Sequence, residues 1–108
     1  MRRIGLLVLL FVPMAAFSVP APQLNQRQTI LEAHRTLLAA GWQPAPETHP
    51  SPGERHWSGV SLNSLSSCSG TGAGFCRFDY KRNRERLSVV TVPSKPGKAS
   101  VGRVARWW

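Results

Sequence analysis

Beyond its first eighteen residues the chain shows one helical pattern followed by strand patterns. Ile30, Ala33, His34, Leu37 and Leu38 recur at steps of three and four, which lays one apolar stripe along a helix. Arg27, Arg35 and Thr36 fall mostly off the stripe. Asn25 with Gln28, and Thr29 with Glu32, each have the spacing of a capping box, so two starts a turn apart compete. The expected helix covers 26–40. Gly41 suits a left-handed cap, and Pro44 bars continuation. Trp42 stands just past the cap, placed to fold back onto the stripe.

From residue 60 the period changes to two. Residues 60–67 read as a weak first strand or an irregular approach. Cys76, Phe78 and Tyr80 then alternate with Arg77, Asp79 and Lys81, which predicts an apolar face inward and a charged face outward. A turn centred on Asn83 leads to a second strand over 86–92. There Leu87, Val89 and Thr91 share one face, and Ser88, Val90 and Val92 the other. A third strand is expected over 99–105, with Gly102 as a bulge. Between helix and strands, Pro44, Pro46, Pro50, Pro52 and Gly53 predict an extended loop over 43–59, pinned to the core by Trp57. The expected class is α+β: one N-terminal helix on a three- or four-stranded antiparallel meander, in one small domain over 19–108.

The first eighteen residues read as an address. Arg2 and Arg3 precede a short apolar run from Ile4 to Val12, and small residues follow at Ala15, Ala16 and Ser18. That is the three-part pattern of a secretory signal peptide, with cleavage expected after Ser18 and with Ala16 and Ala21 as the alternative sites. The run is well short of the ~20 residues a spanning helix needs, and no later run reaches that length.

Charge sharpens the picture. The 108 residues carry a formal charge of +9, and removal of Arg2 and Arg3 leaves +7. Residues 77–108 hold nine basic residues against Asp79 and Glu85, so the whole mature excess lies in the last third. Arg77, Lys81, Arg82, Arg84 and Arg86 cluster around one hairpin and are the candidate anion-binding residues. Such a field attracts polyanions and sets association rates more than it shapes a fold. The partner classes are lipid headgroups, lipopolysaccharide, nucleic acid and acidic proteins. The alternative is a solvated hairpin that resists edge-to-edge pairing. The tail Arg106-Trp107-Trp108 suits a membrane interface, or one tryptophan closes an open end of the core.

Candidate chemistry is thin. Cys68 and Cys76 enclose seven residues that include Gly70, Gly72 and Gly74. The spacing is not the C-x-x-C of redox enzymes, so a structural disulfide is expected in an oxidising compartment. It would stabilise by about 2–3 kcal/mol on the chain-entropy model. The glycines lack GxGxxG spacing and a following lysine, which excludes a phosphate loop. His34, His49 and His56 have no zinc-ligand spacing, so neither a metal nor a cofactor is expected. Glu54, His56 and Arg77 are the only material for a small nucleic-acid hydrolase, and no GxSxG is present.

The order of these features resembles a group of small exported proteins of Gram-negative bacteria. Those carry a helix ending in Leu-x-x-x-Gly-Trp and a Cys-Ser-Gly-Thr-Gly…Cys-x-Phe segment. The matching residues are Leu37, Gly41, Trp42, Cys68, Ser69, Gly70, Thr71, Gly72, Cys76 and Phe78. Similar sequences often carry a further cysteine pair in the loop after the helix. This chain has none there, so its loop is expected to be less constrained. The resemblance implies a periplasmic or extracellular location and assigns no activity. The expectation is a non-enzymatic binding or accessory module for anionic partners. The alternatives are a secreted nucleic-acid hydrolase and a cationic envelope-active protein. N-terminal sequencing of protein recovered from the export compartment should begin near Val19. Recovery only of cytoplasmic protein that retains Met1 would contradict export.

Overall fold

A computed structural model describes residues 23–69 and 74–108, and the segment 1–18 expected to be a signal peptide and residues 70–73 of the glycine run lie outside it. Helix α1 is Ile30–Ala39, strand β1 Gln43–Pro44, helix α2 Pro52–Ser58. Strands β2, β3, β4 and β5 are Leu65–Cys68, Cys76–Arg82, Glu85–Pro93 and Gly102–Trp107. The α+β class is as expected, with two helices in place of one and five strands in place of three or four. The strands β3, β4 and β5 form the meander, and every pairing is antiparallel. The additional strand arises because β1 and β2 share the same edge of β3, opposite Tyr80–Lys81 and Cys76–Phe78 respectively.

The helix starts at the second of the two caps. Thr29 accepts from the Glu32 amide, and the Glu32 carboxylate accepts from the Thr29 amide. Asn25 and Gln28 close a separate turn, within which Arg27 adopts φ +72° and so interrupts any earlier helix. At the other end Gly41, at φ +91°, lets the Gly41 and Trp42 amides reach back to the Leu38 and Leu37 carbonyls. That Schellman closure turns Trp42 into the core. Ile30, Ala33 and Leu37 are buried as the stripe predicts, whereas Leu38 is exposed. They pack with Leu65, Phe78, Tyr80, Leu87, Val89 and Val104 from the facing side of the sheet.

The 43–59 segment is not a continuous loop. Ser51 and Glu54 form a second capping box, and Pro52 opens α2. Proline is tolerated in the first turn because its missing N–H has no helical acceptor there. The proline count therefore argued against a helix that the proline positions permit. Trp57 is the expected pin: it joins the core and donates from Nε1 to the Gly74 carbonyl at 3.0 Å. Disulfide Cys68–Cys76 links β2 to β3 at the adjoining end.

Two bulges shape the edges. On β2, Leu65 pairs with Phe78 and Ser67 with Arg77, so Ser66 is the extra residue. On β5, Val104 pairs with Thr91 and Arg106 with Val90, so the bulge falls at Ala105 and not at Gly102. Gly102 pairs in register with Pro93.

Gly59 ends α2 at φ +72°, and a Cβ there would meet the Ser100 backbone carbon at 2.4 Å. Gly59→Ala therefore combines an unfavourable φ with a backbone clash and should cost at least about 2 kcal/mol. A urea-unfolding midpoint unchanged from wild type would show that α2 does not dock against the 99–101 segment as described.

Candidate anion-binding face

The sheet has a core face under α1 and an opposite, outer face. The pairing registers place Arg77, Asp79 and Lys81 on the outer face, beside Arg86, Ser88, Val90 and Val92 of β4. Strand β5 adds Arg103 and Arg106. Trp108 continues beyond β5 by exchanging backbone hydrogen bonds with Ser88.

One residue departs from the expected charged outer row. Asp79 is 1% exposed. Its carboxylate accepts from Ser66 Oγ, Ser88 Oγ and Arg77 Nε, so donors from three strands surround it. The Ser66 bulge delivers the first of these. The segment after β1 crosses above: the Glu47 amide donates to Ser66 Oγ, and Thr48 Oγ1 to the Ser66 carbonyl. The Glu47 carboxylate bridges Arg77 at 2.9 Å and Arg86 at 3.5 Å. Alternation alone could not reveal this burial, because the covering strap comes from a distant part of the chain, Glu47 and Thr48.

The five basic residues named from the sequence divide by role. Arg77 is paired with Asp79 and Glu47, and Arg86 with Glu47 and the Ala45 carbonyl. Arg82 shares the parity of Phe78 and Tyr80 and lies on the core side. Its guanidinium stacks on Trp42 at 4.5 Å, donates to the Ala40 carbonyl at 2.8 Å and pairs with Glu85. It thus caps α1 and seals the core end. Lys81 and Arg84 are exposed, with no carboxylate partner among the described residues. The five do not form one solvated cluster.

Other cations were not singled out by the hairpin pattern. Arg106 is exposed and stands over the Trp108 ring at 5.5 Å. Trp108 is 61% exposed, while Trp107 packs against the core. Trp107 thus closes the core end, and Trp108 stays exposed on the outer face. Arg103 donates to the Arg27 carbonyl. Counted on the outer face, Arg77, Lys81, Arg86, Arg103 and Arg106 stand against Asp79 and Glu47, an excess of three positive charges.

The groups for acid–base chemistry are occupied or apart. Glu54 accepts from the amides of Ser51 and Cys68, and these bonds hold its carboxyl below the usual value. Two residues along α2, Glu54 and His56 do not share a face. Exposed His56 and Arg55 line an open groove of about 450 Å³ with Ser61 and Ser100. Among the described residues, no three His, Cys, Asp or Glu side chains gather as a metal site. No helix among them is long and apolar enough to cross a membrane. Comparison with protein-family models, curated proteins and solved structures returns no match.

His34 has a structural partner instead. Its Nδ1 lies 2.9 Å from Tyr80 Oη, and Ser64 Oγ donates to the same oxygen at 3.0 Å. The phenol proton then goes to Nδ1, which requires a neutral imidazole protonated on Nε2. Burial pushes the Tyr80 phenol up to about 12 and lowers His34 from its ordinary value of 6.5. A lowered folded value means that the unfolded chain takes up the proton first as pH falls. The His34 contribution to stability is complete above 6.5 and is lost as pH drops through its folded value. Thermal unfolding should therefore move to lower temperature between pH 7 and pH 5, and less so in His34→Gln, which retains an acceptor for Tyr80. An equal acid shift in both proteins would remove His34 as the cause.

Proposed function

We propose that this chain is an exported, non-enzymatic module that binds anionic partners through the outer face of its sheet. The observation that carries the reading is the placement of cations from three strands on one face. Its two carboxylates are already committed to Arg77 and Arg86, so the remaining positive charge faces solvent. Export is supported by the N-terminal leader pattern and by the Cys68–Cys76 disulfide, which suits an oxidising compartment. The hydrolase alternative has weaker support, because the Glu54 carboxylate serves two backbone amides rather than His56.

Among the five hairpin cations, Lys81 and Arg84 are the ones free to meet a ligand, and Arg106 joins them from β5. Arg77 and Arg86 contribute through the field of the face, and Arg82 chiefly through stability. Replacement of Lys81, Arg84 and Arg106 by serine should leave the fold intact and lower the salt needed for elution from heparin. The dependence of log affinity on log salt should flatten by about two to three units. Elution of this triple variant at the wild-type salt concentration would leave the basic face as a solvating surface only. Arg82→Ser should behave differently, lowering the unfolding temperature because it removes the Trp42 stack and the Ala40 cap.

A further inference from the structure

The outer face carries more than charge. Phe75 is 42% and Trp108 61% exposed, and both lie beside arginines of this face. Phe75, Val90, Arg77 and Arg106 line one shallow groove of about 280 Å³ together with Cys68 and Cys76. Arg106 in turn stands over Trp108. The order across the surface is therefore aromatic, guanidinium and aromatic, with an apolar floor at Val90. A separate groove of about 380 Å³ lies along β5, lined by Val92, Arg27 and Arg103.

We propose that this surface docks on a lipid bilayer that carries anionic phosphate headgroups, with Phe75 and Trp108 entering the interface and Arg103 and Arg106 contacting phosphates. The proposal rests on the anion-binding reading above and names its partner. A water-soluble polyanion satisfies the cations and leaves both aromatic rings in water. A bilayer offers an anionic layer directly above an apolar one, which matches both chemistries in the same patch. Tryptophan suits that boundary because its ring is apolar and its indole N–H remains hydrated. Arginine beside it keeps its charge at headgroup level while its stem lies along apolar surface. The Glu47 strap limits the patch on one side by neutralising Arg77 and Arg86, so contact is directed toward the Phe75–Trp108 end.

The test compares wild type, a Phe75→Ser/Trp108→Ser variant and Arg106→Ser. The probes are phosphatidylcholine vesicles with and without phosphatidylglycerol, heparin, and a single-stranded oligonucleotide. All forms are purified as cells produce them and share one N-terminus, so a retained leader contributes equally to each. Circular dichroism checks that the exposed substitutions leave the fold unchanged. Wild type should bind the phosphatidylglycerol vesicles and not the neutral ones, with a blue shift of tryptophan emission. The double aromatic variant should lose at least about tenfold in vesicle affinity, as expected for two rings no longer buried, and keep its heparin elution. Arg106→Ser should weaken both. Equal vesicle binding by wild type and the aromatic variant overturns the proposal. So does wild-type binding to heparin without binding to vesicles, an outcome that leaves the anion-binding reading standing. Aromatic-dependent binding to the oligonucleotide alone would overturn it in favour of base stacking. Failure of wild type on every anionic probe would remove both readings.

Discussion

The buried carboxylate of Asp79 is the point at which the sheet is joined. Its backbone N–H donates to the Ser64 carbonyl, and its own carbonyl accepts from Ala45. The two segments that share one edge of β3 therefore meet at this residue. Its side chain gathers Ser66, Arg77 and Ser88 from β2, β3 and β4. A carboxylate almost without solvent contact is tolerable only when its charge is matched and its oxygens accept hydrogen bonds. Arg77 supplies the charge and the two hydroxyls supply further donors. The same arginine also holds Glu47, so the requirement at Asp79 propagates to the strap that crosses the outer face. Removing any one partner leaves the others facing an under-satisfied anion, a larger loss than one exposed ion pair would represent.

This arrangement explains why some of the molecule was legible in the sequence and some was not. Local rules sufficed for the core side. The alternation Cys76, Phe78, Tyr80 and the partner alternation Leu87, Val89, Thr91 point inward as read, since period two is an immediate consequence of strand geometry. The Thr29–Glu32 capping box and Gly41 bound the first helix, with the Asn25–Gln28 alternative spent on a separate turn. The errors share a different origin. Proline composition obscured α2, where proline position mattered. Burial of Asp79 depended on Glu47 and Thr48 arriving from another part of the chain. Arg82 lies at the end of an inward row, yet composition groups it with its cationic neighbours, and only the stack on Trp42 reveals its role.

Charge needs the same separation of counting from placement. The excess of positive residues in the last third is a fact of composition, but ion pairing divides it unequally. Glu47, Asp79 and Glu85 are directed at Arg77, Arg86 and Arg82, the residues that bind strands, strap and helix together. Charge that serves the fold is thus neutralised locally. Charge left without a carboxylate partner includes Lys81 and Arg84 on the hairpin tip and Arg103 and Arg106 on the far strand. Separated along the sheet, Lys81, Arg103 and Arg106 spread positive charge across one face.

The composition of that face depends on a single inserted residue. In an unbulged β5, side chains after Val104 would alternate Ala105 outward, Arg106 inward, Trp107 outward and Trp108 inward. An inward Arg106 would bring an unpaired guanidinium toward Val89, and an outward Trp107 would leave the core end open. The extra residue at Ala105 reverses the parity of everything that follows. Trp107 then closes the core beside Val89, while Arg106 and Trp108 emerge together on the outer face. The bulge therefore meets two demands at once: it supplies the core with its last aromatic side chain and the open surface with a cation stacked on an exposed indole. A bulge on the opposite edge works in the same way, since Ser66 reaches Asp79 only because β2 carries one residue more than its partner. Both edges of the sheet thus use an irregular register to send side chains to the faces where their chemistry is satisfied.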